Sequence, residues 1–171
     1  AVRAIARTIL EKREEVVADF CAGAGGKTLA IASMMRGQGR VYALDASASR
    51  LEALRPRMQR ARLENIYPMA ISAGDDERVR RLQGKVDCVL VDAPCSGFGV
   101  LGRRADARWR KGAEIFLELP AVQLELLEAA AHKLIPGGTL VYSVCSFEPE
   151  ETTEVVDKFL AENPGFKLES V

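Results

Sequence analysis

Two cysteines stand in short motifs that each follow an apolar run. Cys95 lies in Asp-Ala-Pro-Cys-Ser-Gly at residues 92–97, and Cys145 lies in Tyr-Ser-Val-Cys-Ser at residues 142–146. The apolar runs read as buried strands, so both thiols are predicted at the carboxyl ends of neighbouring strands. A lone cysteine at such a place is usually inert packing. Two at adjacent strand tips, one of them close behind Asp92, favour chemistry, because a thiolate is a nucleophile.

The other two cysteines indicate neither a metal site nor a disulfide framework. Cys21 stands in a glycine-rich turn, and Cys88 falls within an apolar run, where it is expected to be a small buried hydrophobe. The sequence has no CxxC pair and no cysteine–histidine pair, so zinc-binding spacing is absent. Four cysteines in 171 residues without a visible signal peptide indicate reduced thiols, and we expect a cytoplasmic protein without metal.

A glycine-rich loop is the second candidate site. Residues 19–28 read Asp-Phe-Cys-Ala-Gly-Ala-Gly-Gly-Lys-Thr, at a predicted strand-to-helix turn. A P-loop requires a glycine where Cys21 stands, and a dinucleotide-binding loop requires one where Thr28 stands. An S-adenosylmethionine loop needs only small residues here, with an acid such as Asp45 at the next strand end to accept from both ribose hydroxyls. A tight turn without ligand is the remaining alternative.

Strands and helices alternate along the chain, and this pattern predicts how the motifs are positioned. Proline at position 56 should kink or split the second helix near Arg55, and Pro120 is expected at the start of a long helix. The alternation predicts an α/β fold whose parallel sheet carries helices on both faces, with ligands beyond the carboxyl ends of the strands. Strands are predicted over 16–20, 40–44, 68–72, 86–91 and 139–144, with a poor sixth over 166–168; helices are predicted over 1–10, 28–35, 47–64, 75–82, from about 120 to 134, and over 150–160.

Composition bounds the class of protein. The chain has 48% hydrophobic and 28% charged residues, which is typical of a globular domain, and no apolar run is long enough to cross a membrane. Lys and Arg total 24, as do Asp and Glu, so bulk charge alone could not hold nucleic acid. The average hides opposed patches: residues 103–111 carry five basic groups and one acid, whereas residues 148–157 carry five acids and no base.

Taken together, the motifs closely resemble those of the RsmB/NSun family of S-adenosylmethionine-dependent RNA 5-methylcytosine methyltransferases. The match runs in order from about residue 16 to residue 160. Three positions depart from the family pattern: Ala24 stands where proline is common, Val144 replaces the usual threonine, and Thr152 stands where asparagine is usual. The matching motifs are 19–28, 92–97, Arg108-Trp109, 136–138 with 142–146, and 148–151.

The resemblance implies a Rossmann-like class I methyltransferase fold, S-adenosylmethionine as cofactor, and methyl transfer to C5 of cytosine in rRNA or tRNA. It implies that Cys145 is the nucleophile toward C6, that Asp92 contacts the cytosine edge, and that Cys95 assists product release. Lys27 is expected near an active-site carboxylate, where it could raise the thiolate fraction. The cofactor-binding residues are expected to be Cys21, Ala22, Gly23, Ala24, Gly25, Gly26, Lys27, Asp45, Arg50, Asp75 and Asp92.

Three of these roles have alternatives at the sequence level. Lys27 could simply be solvated and not lie near an active-site carboxylate. DNA 5-methylcytosine enzymes use a Pro-Cys dipeptide like the one that contains Cys95, so the two cysteines could exchange roles. Asp75 could contact the adenine of the cofactor or simply cap the helix that follows it.

The expected partner is RNA, bound as a splayed-out base with its neighbouring phosphates. The basic segment 103–111, with Trp109 interleaved, could contact those phosphates or could be a solvated loop. We expect a monomeric, single-domain catalytic core over residues 1–171 that lacks a separate RNA-binding domain and the last strand of the family. The alternative function is an S-adenosylmethionine-binding core that is inactive or only RNA-associated.

Overall fold

A parallel sheet organises the protein. The computed structural model describes residues 16–71, 77–100 and 115–169. Within them, the sheet has the order β3-β2-β1-β4-β5, and every neighbouring pair of strands is parallel. The chain moves outward from β1 on one side and then returns to place β4 on the other, so the topological switch point lies between β1 and β4. The strands are β1 (Val16–Asp19), β2 (Arg40–Asp45), β3 (Ile66–Ala70), β4 (Val86–Asp92) and β5 (Leu134–Ser143).

Helices connect the strands, as right-handed crossovers of a parallel sheet require. They are α1 (Gly26–Met34), α2 (Ala48–Glu52), α3 (Arg55–Ala61), α4 (Glu77–Arg80), α5 (Ile115–Ala131) and α6 (Thr153–Glu162). Two short 3₁₀ turns, Phe98–Val100 and Pro149–Glu151, lie close to the two cysteine motifs in the chain.

The core has two parts, one on each face of the sheet. Successive strand residues point to opposite faces, so Val17 joins one cluster with Ile31 of α1, whereas Ala18 joins the other with Leu127 of α5. All of these side chains are buried. Helices therefore cover both faces, which explains why the strands read as near-continuous apolar runs and confirms the predicted fold class.

Local sequence signals predicted some of the elements correctly and others wrongly. The predicted split near Arg55 is confirmed, because α2 ends at Glu52 and α3 begins at Arg55 with proline in its first turn. The predicted sixth strand over 166–168 is wrong: the segment is irregular. Its apolar residue Phe166 instead packs edge-on against Phe159 of α6, with ring centroids 5.2 Å apart.

Two prolines lie deeper in their elements than predicted. Pro120 lies inside α5 and not at its first position, since the helix already begins at Ile115. Pro68 lies within β3, which begins at Ile66. Because β3 is an edge strand of the sheet, the missing N–H of a proline can be tolerated there. The predicted helix over 1–10 and the start of the predicted helix at Asp75 lie outside the described residues.

One glycine in the loop before α1 is required by packing. Gly25 has a φ of 83°, in the left-handed region, and a Cβ placed on it would lie 2.2 Å from Cδ1 of Leu54. Leu54 is fully buried, so it has little freedom to move away. The glycine therefore lets the loop pass close to Leu54, in the segment between α2 and α3.

Candidate active site

Three carboxylates meet at one edge of the sheet. Asp19, Asp45 and Asp92 are the last residues of β1, β2 and β4. Because the carboxyl ends of parallel strands share one edge, residues far apart in the chain converge there. This edge lies at the switch point, where open α/β sheets bind ligands.

Asp45 is held by backbone amides on both of its oxygens. Oδ2 accepts from the N–H of Gly23, and Oδ1 accepts from the N–H of Ser47, each at 2.8 Å. The guanidinium of Arg50 lies 3.8 Å from Oδ2. Asp45 thus contacts both the glycine loop and Arg50, and the assignment of these residues to one cofactor site stays a prediction.

The rest of the loop is arranged around this contact. The N–H of Ala22 donates to the carbonyl of Leu44, which ties the loop to β2, at 2.9 Å. Ala24 is exposed, and its carbonyl accepts from Arg57 at 2.7 Å. Gly26 begins α1. The loop therefore presents backbone toward the sheet edge without bulky side chains.

Asp19 is a buried acid that sequence analysis did not assign to the site. It is 1% exposed, and the hydroxyl of Thr28 donates to its Oδ2 at 2.7 Å. Its Oδ1 has no hydrogen-bond partner within the part of the chain that the structure describes. Burial raises the pKa of Asp19 to about 6, helped by the nearby charge of Asp92 and opposed by the Thr28 hydrogen bond. Its position as the acid that ends β1, in the glycine-loop motif, was the available signal.

Lys27 and Asp92 form an ion pair across the switch point. Lys27 Nζ lies 2.5 Å from Asp92 Oδ2, and both side chains are about one third exposed. The prediction placed Lys27 near an active-site carboxylate, and the structure identifies that carboxylate as Asp92. The pair connects the first turn of α1 to the end of β4, so it links the helix that follows the glycine loop to the strand that leads to Cys95.

The two motif cysteines lie side by side. Their Sγ atoms are 3.0 Å apart, and the N–H of Cys145 donates to Cys95 Sγ at 3.2 Å. The N–H of Gly99 also donates to the carbonyl of Cys145, at 3.0 Å. Cys145 is exposed and Cys95 is half-buried. All four cysteines of the chain are described, and none of them forms a disulfide.

The acid–base states of the thiols differ around the site. Burial, together with the adjacent Cys145, raises the pKa of Cys95 to about 11, so Cys95 is a protonated thiol at neutral pH. Burial and the charges of the three strand-end carboxylates raise the pKa of Cys21 to about 12. Cys21 therefore remains a thiol in a strongly negative environment, and Cys88 is fully buried as predicted.

Behind the cysteines lies a buried polar cluster that sequence analysis missed. Its centre is Glu151, which is 0% exposed, and its other members come from α5 and from the two cysteine motifs. The available signal was the dipeptide Cys-Ser, which occurs in both cysteine motifs. We call this set the serine–glutamate cluster; its members are Ser96, Gln123, Tyr142, Ser146 and Glu151.

Some predicted site residues cannot be placed. Asp75 and the basic segment 103–111 lie outside the described residues. Within the described residues, no group of three or more His, Cys, Asp or Glu side chains could hold a metal ion. In the same part of the chain, no helix is long and apolar enough to cross a membrane.

The amino-acid sequence matches the family described as 16S rRNA methyltransferase RsmB/F over residues 7–171. The chain belongs to this family. Its fold is accordingly the Rossmann-like fold of class I methyltransferases, as the motifs predicted. Membership of a methyltransferase family favours the S-adenosylmethionine interpretation of residues 19–28 over a P-loop or a dinucleotide-binding loop.

Individual relatives agree with this assignment. A protein of Bacillus subtilis named probable ribosomal RNA small subunit methyltransferase B is 35% identical over 95% of this chain and 36% of its own length. Ribosomal RNA small subunit methyltransferase F of Cronobacter sakazakii is 39% identical over 86% of this chain and 30% of its own length. The chain thus spans about a third of the length of these relatives.

A solved structure extends the comparison to three dimensions. The crystal structure of NSun6 from Pyrococcus horikoshii with SFG superimposes with a TM-score of 0.80 at 28% identity. The alignment covers 94% of this chain and 40% of that chain. The fold described above is therefore shared with a member of the NSun group.

Proposed function

We propose that this chain methylates C5 of cytosine in RNA, with S-adenosylmethionine as methyl donor and a covalent bond between Cys145 and C6 as the intermediate. The observation that carries the proposal is the pair of thiols, the exposed Cys145 and the half-buried Cys95, whose sulfurs lie 3.0 Å apart at the same sheet edge as Asp45 and the glycine loop that it binds. The names of the relatives make ribosomal RNA the proposed substrate class.

The residues at the glycine loop fit this cofactor, which is the cofactor of the family and which NSun6 binds as an analogue. A Cβ added to Gly23 or Gly26 would meet no described atom within 4 Å, so the loop borders open space. Asp45 binds this loop through the N–H of Gly23, and Asp19, which ends the strand before the loop, has a buried oxygen, Oδ1, without a hydrogen-bond partner among the described residues. A ligand that carries a sulfonium, an ammonium group and ribose hydroxyls supplies the cations and donors that such acceptors need. When bound, it supplies an electrophilic methyl group.

Cys145 carries the covalent step in the proposed mechanism. Its thiolate adds to C6 of cytosine, which forms a C–S bond and moves the electron pair of the C5–C6 double bond to C5. That carbon then takes the methyl group from the sulfonium, whose S–CH₃ bond breaks with its electron pair kept on sulfur to leave a neutral thioether. Loss of the C5 proton to solvent restores the double bond, and the C6–S bond breaks to return the thiolate, so atoms and charge balance. The exposure of Cys145 allows a base to reach it.

Cys95 and Asp92 assist the reaction of the same base. Cys95 is protonated at neutral pH and lies 3.0 Å from Cys145, so its S–H can donate to the departing sulfur and ease product release. Asp92 accepts a hydrogen bond from the exocyclic amine of cytosine, and Lys27 balances its charge. This division gives the exposed thiol the nucleophilic role and the more buried thiol the release role.

An exposed aromatic side chain that closely follows Cys145 in the sequence is suited to RNA. Phe147 is 81% exposed and follows Cys145 by two residues. Exposed aromatic rings next to a reactive group provide a stacking surface for an unpaired base, which is how single-stranded RNA is commonly bound. Phe147 therefore supports RNA, and not a small molecule, as the substrate.

Nucleoside mass spectrometry tests the proposal. The chain is incubated with unmodified ribosomal RNA and isotopically labelled S-adenosylmethionine, and the RNA is digested to nucleosides. Labelled 5-methylcytidine is expected with the wild type, and none is expected with Cys145→Ala. Tight cofactor binding without labelled 5-methylcytidine would reject the proposal in favour of a cofactor-binding core that is inactive alone, and a label on another nucleoside would reject the assigned chemistry.

A further inference from the structure

The two cysteines owe their proximity to side chains beneath them. Each cysteine is followed by a serine, and both serines are buried, Ser96 fully and Ser146 at 9% exposure. Their hydroxyl oxygens lie 3.2 Å apart, and the sulfurs of the two cysteines that precede them lie 3.0 Å apart. The two Cys-Ser dipeptides thus contact each other at two points, through the cysteine sulfurs near the surface and through the serine hydroxyls in the interior.

Glu151 binds both dipeptides from the interior. Its Oε1 accepts from the backbone N–H of Ser96 at 2.7 Å, and its Oε2 accepts from the Ser96 hydroxyl. Ser146 also hydrogen-bonds to the carboxylate, as does Gln123, whose Nε2 lies 3.1 Å from Oε1. Burial alone would raise the pKa of Glu151, but these hydrogen bonds outweigh it and lower the pKa, so the group is a carboxylate at neutral pH.

The surrounding bonds anchor Glu151 to rigid elements. Gln123 of α5 also donates to the carbonyl of Pro94 at 2.9 Å, next to Cys95. The hydroxyl of Tyr142, on β5, lies 2.8 Å from the carbonyl of Glu151 and 3.0 Å from Oε1 of Gln123. The 3₁₀ turn that contains Glu151 is therefore joined to a helix, to a strand and to both cysteine motifs.

Only a carboxylate satisfies all of these donors. The two Ser96 groups, the Ser146 hydroxyl and the Gln123 amide supply four donors, and an ionised carboxylate offers about four acceptor positions and no donor. A glutamine in the same place would accept at one oxygen only and would direct its NH₂ group at donors. Such mismatches in a buried network are costly and shift the groups involved.

We infer that Glu151 is a positioning residue, which holds Cys95 and Cys145 at the separation that lets both sulfurs serve one base. The inference rests on the proposed function for its consequence, because Cys95 can donate to the sulfur of Cys145 as it leaves C6 only if the two sulfurs stay close together. The geometric part stands without that function. Displacements of about 1 Å at a reacting centre can cost about 100-fold in rate.

The first test measures thiol geometry without any RNA. Phenylarsine oxide binds two neighbouring thiols at once, forms two As–S bonds and releases one water, and its tight binding depends on the second thiol being held close. Tight binding is expected for the wild type and for the matched control Glu150→Gln, which alters an exposed acid in the same turn. Cys95→Ser gives the affinity for phenylarsine oxide when only one thiol can bind. Glu151→Gln is expected to bind it about 10- to 100-fold more weakly than the wild type.

The second test follows the reaction. With Glu151→Gln we expect kcat for 5-methylcytidine formation to fall about 10- to 100-fold and the covalent RNA adduct to accumulate, while the Kd for S-adenosylmethionine stays within about twofold. Glu151→Asp, which keeps a carboxylate, should recover part of kcat. A general loss of folding would instead lower cofactor affinity and adduct level together.

The outcomes separate the two proposals. Unchanged arsenical affinity in Glu151→Gln overturns the positioning role, whatever the chain methylates. Weakened arsenical binding with no methylation by the wild type supports the positioning role and rejects the proposed function. If Glu151→Gln does not fold, Ser96→Ala and Ser146→Ala replace it; wild-type arsenical affinity in both overturns the inference, and weaker binding in both supports it.

Discussion

The site has two halves that are held together in different ways. The cofactor half comprises the ends of β1 and β2 with the glycine loop, and its key contacts join residues that are near in sequence. Ser47 binds Asp45 two residues away, and Thr28 binds Asp19 nine residues away. The cysteine half comprises the ends of β4 and β5, and the contacts that join these two ends span 50 to 55 residues, from Cys95 to Cys145 and from Ser96 to Glu151.

The two halves also differ in how their buried carboxylates are compensated. In the cofactor half, carboxylates crowd together, one buried oxygen has no described partner, and the pKa of Cys21 rises to about 12. In the cysteine half, the buried carboxylate of Glu151 has a hydrogen bond for each of its acceptor positions. The first half is therefore poised to receive a cation, whereas the second half fixes the positions of its own atoms. The predictions below test whether the halves act separately.

The largest effect is expected in the cysteine half. Cys145→Ala should lower methyl transfer at least about 1000-fold, since the covalent route is lost, while cofactor affinity stays unchanged. Cys95→Ala should still form the C6 adduct but release it slowly, so a covalent protein–RNA species should persist on a denaturing gel.

The same gel provides the control for the assignment of roles. A persistent adduct with Cys145→Ala, and none with Cys95→Ala, would exchange the nucleophilic and release roles of the two thiols. A large drop in cofactor affinity in either variant would contradict the separation of the halves.

The next largest effect is a pH dependence in the cofactor half. The pKa of Asp19 is raised from 3.8 to about 6 in the folded protein, mainly by burial, so the folded state binds this proton more tightly than the unfolded state. Stability from this group is complete below about pH 4 and is lost as the pH rises through 6. In urea unfolding without cofactor, Asp19→Asn should gain about 2–3 kcal/mol relative to the wild type between pH 4 and pH 8. A difference that does not change with pH would contradict the assigned burial of the charge.

A smaller effect is expected for the acid at the end of β2. Asp45→Asn replaces one acceptor with a donor that faces the N–H of either Gly23 or Ser47, so the loop must shift. We expect calorimetry to show a Kd for S-adenosylmethionine that is about 10- to 100-fold weaker. At saturating cofactor, kcat should stay close to that of the wild type.

Asp87→Asn is the matched control for that measurement. Asp87 also accepts a backbone hydrogen bond, from Val16 at 2.9 Å, but it lies near the amino end of β4. Its variant should bind the cofactor as the wild type does. Equal losses in the two variants would indicate a general structural effect, not a contact at the cofactor site.

The accuracy of the sequence predictions followed the range of the interactions. The split before Arg55 was predictable, because proline acts on its own helix. The pairing of the glycine loop with Asp45 was predictable, because it follows from one strand–helix–strand unit. The sixth strand was not, because Phe166 has the composition of a strand but packs against Phe159 of α6.

Glu151 marks the limit of sequence reasoning for the site. By sequence it is one of five acids in residues 148–157, a run that reads as a charged surface patch. In the structure it is fully buried and binds serines from two motifs. Its burial depends on α5, β5 and both cysteine loops arriving at one point, and no local pattern encodes such a convergence.

The sequence by itself determined the alternation of strands and helices, the family, and the side chains that could carry the chemistry. These follow from apolar periodicity and from motifs whose residues act within a few positions of one another. The tertiary structure decided which groups touch: that Lys27 pairs with Asp92, that Asp19 is buried and loses ordinary acidity, and that Glu151 holds the two thiols together. The physical reason is that burial and hydrogen bonding depend on distance in space, and the order of strands in the sheet sets that distance.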